Sequence, residues 1–119
     1  MVERGSMDQI ERLLEIVTTY RKHGWSLKRL LMTAETRASG AELEQTLFAD
    51  AEIELSPIDA LWFYRPSHEQ REAWELRLVG DTPYALFETF ESDESEEQRA
   101  EFRLEMEARM REHVMRKSH

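Results

Sequence analysis

The chain has 119 residues, of which 40% are hydrophobic, with a formal net charge of -9 and a sequence pI near 5.0. That length suits one cored domain and not two, and three Trp, five Phe and three Tyr supply the large apolar side chains needed to offset its ordering entropy. The negative balance repels polyphosphate backbones and disfavours nucleic acid as a partner. The absence of cysteine excludes disulfides, thiolate metal sites and cysteine nucleophiles. No apolar run reaches the ~18 to 20 residues of a membrane span, so no membrane partner is expected and the cytoplasm is the expected compartment.

Residues 1–6 carry no apolar periodicity and end in Gly5-Ser6 before a second methionine, so they read as a leader ahead of a single domain over 7–119. Asp8 and Glu11 have the spacing of a capping box, and Ile10, Leu13, Leu14, Val17 and Tyr20 recur at helical spacing. A first helix over 8–22 follows, with Arg21 and Lys22 at its negative end, Gly24 in the left-handed position after it and Trp25 folding back on the last turn. Residues 26–33 fit a helix through Leu27, Leu30 and Leu31 and a strand through Leu27, Arg29 and Leu31; the strand is the reading adopted. Thr33 to Gly40 is polar and punctuated, and Leu43, Leu47 and Phe48 predict a second short helix from about 40 to 48.

From Glu52 to Tyr64 the pattern predicts one strand entered through a kink at Pro57. Arg71 to Val79 sets Trp74, Leu76 and Leu78 on one face against Ala73, Glu75 and Arg77 on the other, and Tyr84 to Phe90 follows a turn at 80–83. The acidic run 91–97 reads as a helix start, because Ser95 and Gln98 are spaced as a capping box and Phe102, Met106, Met110 and Val114 then recur every four residues to about 116. The expected fold class is therefore α+β: helix-strand-helix, a three-stranded antiparallel meander and a long C-terminal helix, with the helices mainly on one face of the sheet.

The four histidines form no ligand pair, the four glycines are isolated and no serine sits in a nucleophile turn, so neither a cofactor nor a metal is expected. Arg21, Lys22, Lys28 and Arg29 are the nearest approach to a basic patch. Asp59 ahead of an apolar strand, followed by Glu75-Leu76-Arg77 on the next, resembles the acidic triad of the PD-(D/E)xK nucleases. The resemblance implies a divalent ion held by Asp59 and Glu75, with Arg77 in the place of the lysine that steers the attacking water. It covers only positions 59–77, and it departs where Ile58 replaces Pro and where Arg77, which cannot lose its proton, replaces Lys.

The run Trp62-Phe63-Tyr64 sends large rings to both faces of a strand, and Phe87 repeats the pattern on the next hairpin. Three readings follow. The leading one is a protein-interaction or regulatory module, a homodimer or the receiver of a protein partner, using Trp62, Phe63, Tyr64, Phe87, Met106 and Met110. The second is a divalent-metal phosphodiesterase with Asp59 and Glu75, whose carboxylates must then lie roughly 4 to 5 Å apart. The third is a domain for a small apolar ligand in a cavity of roughly 300 Å³ or more, walled by Trp62, Tyr64 and Trp74.

Overall fold

A computed structural model describes residues 5–42 and 48–117. The elements are α1 (Gly5–Lys22), β1 (Ser26–Met32), α2 (Ala34–Ser39), β2 (Glu52–Leu55), β3 (Ala60–Pro66), β4 (Glu72–Leu78), β5 (Ala85–Phe90) and α3 (Glu96–Lys117). They build one five-stranded sheet in the order β2-β1-β3-β4-β5. The meander β3-β4-β5 is antiparallel as expected, with Trp62 opposite Leu76 and Glu75 opposite Phe87.

Two features differ from the sequence expectation at this level. The stretch from Glu52 to Tyr64 is two strands and not one kinked strand: β2 pairs parallel to β1, and β3 pairs antiparallel to the other side of β1. A parallel neighbour needs a crossover connection, and residues 33–51 supply it. The helices also do not share a face. Leu61 and Phe63 of β3 pack with Leu13, Ile16 and Val17 of α1, whereas the alternate residues Ala60 and Trp62 pack with Met106 and Met110 of α3. Strand alternation sends these two sets to opposite sides of the sheet, so one helix covers each apolar face.

Helix α1 begins at Gly5, ahead of the capping box expected at Asp8 and Glu11, so Asp8 lies inside the helix; its end and the start of α3 follow their local signals. The amide of Trp25 donates to the Tyr20 carbonyl at 3.0 Å and that of Gly24 to Arg21 at 3.1 Å, with Gly24 at φ 87°, which is a Schellman stop. At the start of α3 the Ser95 amide donates to Gln98 Oε1 at 3.0 Å and the Gln98 amide to Ser95 Oγ at 3.1 Å, completing the capping box. Met106 and Met110 are fully buried, and each contributes about 1.5 to 3 kcal/mol toward docking α3.

Helix α2 falls in the segment read from sequence as a polar connection, while residues 43–47, within the expected 40–48 helix, lie outside the described residues. Polar bonds hold α2 in place of an apolar stripe. Thr33 Oγ1 accepts from the Thr36 amide at 3.1 Å, and buried Asp59 accepts from the Thr33 amide at 2.8 Å, Thr36 Oγ1 at 2.7 Å and Gln9 Nε2 at 2.8 Å. The same Gln9 amide group donates to the Val79 carbonyl at 3.0 Å, so one carboxylate joins α1, α2 and the β3-β4 pair.

Hydrogen bonds to a charged acceptor contribute about 1.5 to 3 kcal/mol each. Thr36→Val is therefore expected to lower the urea midpoint by the equivalent of about 1 to 2 kcal/mol with an unchanged slope, and Asp59→Ala to lower it further. Unaltered midpoints in both variants would show that the Asp59 cluster does not hold α2.

Candidate functional site

The sheet has one irregularity that places charge. Between Leu27 and Arg29 the register of β1 against β3 shifts, so that Leu27 faces Phe63 and Arg29 faces Trp62, with Lys28 as the extra residue of a bulge. In an unbroken strand residues 27 and 29 would point the same way. The bulge sends Leu27 into the α1 core and delivers both Lys28 and Arg29 to the rim of a cleft on the α3 side.

That cleft has a volume of about 230 Å³ and is lined by Lys28, Arg29, Asp50, Trp62, Trp74 and Arg103, with Glu52 at its edge. Its floor is aromatic: the Trp62 and Trp74 rings meet edge to face at 6.0 Å, and Tyr64 lies 5.2 Å from Trp74. Both indole N–H groups are already used. Trp62 Nε1 donates to buried Glu107 at 2.7 Å, and Trp74 Nε1 donates to Glu72 at 3.0 Å. Trp62 is only 1% exposed, so it is the half-buried Trp74 ring that offers apolar surface, in a fixed orientation and without a free donor.

The cations around this floor divide into two kinds. Arg29 is committed to carboxylates, lying 3.5 Å from Glu52, 3.6 Å from Glu54 and 3.6 Å from Glu107. Lys28 and Arg103 instead lie against ring faces, Lys28 Nζ at 5.5 Å from the Tyr64 centroid and the Arg103 guanidinium at 4.6 Å from that of Trp74. Among the described residues Lys28 has no carboxylate at ion-pair distance. Arg103 Nη2 bonds Glu96 at 2.6 Å, while its buried Nη1 has no hydrogen-bond acceptor.

Other concavities converge less. A depression of about 850 Å³ is lined, among the described residues, by α1 alone, which brings no group from a second element to face it. A cleft of about 410 Å³ between the ends of α1 and α3 contains Asp59, Gln9 and His113. There Asp59 and Gln9 satisfy each other and their neighbours, and the His113 ring stacks on Tyr84 at 3.6 Å. Among the described residues, the cleft beside Trp74 brings together Lys28, which has no carboxylate partner, and Arg103, whose Nη1 has no acceptor.

Asp59 and Glu75 lie on the same face of the sheet, but four residues apart along β3 and β4: Val79 donates to the Asp59 carbonyl, and Glu75 faces Phe63. That is about 13 Å of strand. Their carboxylates reach opposite stretches of α1, Asp59 bonding Gln9 and Glu75 accepting from the Tyr20 hydroxyl, and residues 9 and 20 are about 16 Å apart along a helix. The arrangement does not bring the two acids together, and Arg77 Nη1 is bonded to the Leu78 carbonyl at 2.6 Å. Among the described residues no group of three or more His, Asp or Glu is clustered to hold a metal ion.

Of the residues singled out for an interface, Trp62, Phe63, Met106 and Met110 are buried inside this chain. They pack between the sheet and the two helices, because each apolar face has its own helix. Tyr64 is half-buried beside the cleft, and Phe87 on edge strand β5 remains 57% exposed. Of the residues expected to wall a ligand cavity, Trp62 and Trp74 line the cleft and Tyr64 does not, and at about 230 Å³ the cleft falls short of the roughly 300 Å³ expected. Arg103 and Glu107 were not singled out as site residues in the sequence, where nothing separates them from the other charges of a helix rich in Glu and Arg.

Tyr20 stacks on Phe63 with centroids 4.1 Å apart, and burial, then the hydrogen bond to Glu75 and the charge of Glu75, raise its hydroxyl well above the ordinary value of 10.0. A raised folded-state value favours the protonated, folded form, so this contribution is complete below about pH 10 and is lost as pH climbs beyond it. The stability difference between the native chain and Tyr20→Phe is therefore expected to stay constant from neutrality to about pH 9 and to shrink above about pH 10 in denaturant titrations. Parallel curves through that range would contradict the assignment.

Comparisons of the chain with protein-family models, with curated proteins and with solved structures find no match.

Proposed function

We propose that this chain is a regulatory or sensory binding module without catalytic activity of its own, and that its site is the aromatic cleft between the bulged end of β1, the β3-β4 pair and α3. The observation that carries this reading is the combination at one place of a cleft, the half-buried Trp74 ring held by Trp62 beneath it, and Lys28, an exposed cation with no carboxylate at ion-pair distance among the described residues. Unused polar groups in a concave aromatic setting are what a ligand site requires. The cleft is smaller than the roughly 300 to 1,000 Å³ typical of drug-sized ligands, so the occupant is a molecule of one or two rings. Trp62 and Trp74 report on it directly. In a Trp25→Phe background, ring-bearing small molecules are expected to change tryptophan emission saturably, with dissociation constants on the order of 10 µM to 1 mM. A flat response across cationic, neutral and anionic ring compounds would remove the basis of the proposal.

A second reading, association of two copies, is favoured by one observation: β5 is an edge strand that carries the exposed Phe87 in its middle. An open edge with an apolar side chain is a template for strand addition. On this reading light scattering over a concentration series shows a dimer that Phe87→Glu dissociates. A monomer at every concentration contradicts it.

A further inference from the structure

The association of two copies through β5 can be taken one step further, to its register and to a second contact that goes with it, and this step rests on that second reading. We infer that two copies join β5 to β5 in antiparallel fashion about a two-fold axis through Phe87, and that the same axis sets Glu105 of each α3 against Arg109 of the other copy.

The strand fixes the register. The Leu78 amide donates to the Tyr84 carbonyl at 2.9 Å, and hydrogen-bonded and non-bonded pairs alternate along an antiparallel ladder. The even residues of β5 therefore turn their amides and carbonyls to β4, and Ala85, Phe87 and Thr89 turn theirs to the open edge. Among the described residues no loop or helix supplies these three with a backbone partner. An axis through Phe87 pairs Phe87 with its copy and Ala85 with Thr89, so that all three residues can bond, and it places Glu88 opposite Leu86. An axis at Glu88 would set two carboxylates face to face. One at Leu86 would place Pro83, which has no amide, opposite Thr89. On the α1 side the chosen axis gathers both copies of Phe87, 57% exposed, with the Trp25 rings that meet them edge to face at 6.4 Å.

The other side of the sheet supplies the second contact. α3 packs on β4 and β5 and runs antiparallel to β5: His113 stacks on Tyr84 just before the strand, and Phe102 meets Phe90 at its end with centroids 6.0 Å apart. Residues 84 to 90 span about 20 Å of strand and residues 102 to 113 about 17 Å of helix. The point of α3 level with Phe87 is therefore midway between residues 102 and 113, close to residue 107. Glu105 and Arg109 lie two residues either side of that point, so the axis brings Glu105 of one copy opposite Arg109 of the other, twice over. With strands about 4.8 Å apart, the two helices come roughly 10 to 14 Å apart, within reach of these long side chains. Residues 102, 105 and 109 share one flank of the helix, and Phe102 on it is 39% exposed. Glu105 and Arg109 are both exposed, and among the described residues neither has an ion-pair partner within its own chain. A six-residue strand edge with one helix flank is smaller than the roughly 800 Å² per partner of a standard interface, which sets the dissociation constant on the order of 1 to 100 µM.

The test is sedimentation equilibrium of the full chain from about 1 to 500 µM, with Glu105→Arg, Arg109→Glu, an equimolar mixture of these two variants, and Phe87→Glu alongside. The native chain is expected to approach the dimer mass. Each charge variant alone sets like charges across the axis and is expected to weaken the dimer about ten-fold or more. The mixture restores opposite charges at both contacts and is expected to recover the native affinity, which a merely structural effect of either change would not do. Phe87→Glu is expected to leave a monomer. A native-like dimer in both charge variants, or a mixture no tighter than its components, overturns the inference while Phe87→Glu still upholds the β5 reading. A monomer at every concentration, or a dimer indifferent to Phe87→Glu, overturns the inference and the reading on which it rests.

Discussion

Everything in this fold follows from the central strand being apolar on both faces. Ala60, Leu61, Trp62 and Phe63 are consecutive and all buried, with β1 on one side and β4 on the other. A strand of that kind cannot face water on either side, so the sheet needs a layer above and below. The chain has two long helices, and each takes one face. Had both packed together on one side, Trp62, Leu76 and Leu31 would have formed an open apolar surface. Instead Trp62 and Phe63 are absorbed into the chain's own interior, while Tyr64 is half-buried and Phe87 stays exposed.

The same constraint builds the cleft. α3 crosses the face that carries Trp62 and Trp74, and Met106 and Met110 fix it by burial. The turns on the N-terminal side of these methionines carry Arg103 over the Trp74 ring and Arg99 to Glu72. On the opposite strand the Lys28 bulge supplies two cations in succession, which regular alternation would have sent to opposite faces. Glu107 anchors the arrangement: a buried carboxylate is costly unless satisfied, and it is satisfied by the Trp62 indole and Arg29. Ring orientation and charge placement are therefore parts of one network spanning β1, β3 and α3.

Local signals were legible in the sequence because short-range physics governs them. The Gly24 stop, the Ser95–Gln98 box, the alternation of β4 and the four-residue spacing of Met106 and Met110 all appear in the structure as their patterns imply. The double reading of residues 26–33 also has a physical origin. Leu27 and Leu30 face the same core although three residues apart, a helical spacing that the bulge makes available to a strand. Long-range pairing was not legible. Nothing local distinguishes a parallel β1-β2 pair from a kinked extension of β3, and α2 has no apolar stripe because Asp59, distant in sequence, holds its first turn. Trp62, Tyr64 and Trp74 could be named as cavity walls from their size and alternation. Arg103 and Glu107 could not, since on a helix rich in Glu and Arg their neighbours at i+4 account for them equally well.

Whether this protein binds at the cleft beside Trp74 can be read from the three indole N–H resonances in a ¹H–¹⁵N spectrum during titration with the ring-bearing small molecules. Trp25 is the internal control, because it lies on the other face of the sheet against Tyr20 and Phe87. Binding there gives saturable shifts of the Trp62 and Trp74 signals while that of Trp25 stays in place. Movement of Trp25 alone, or no movement at about 10 mM ligand, would contradict it.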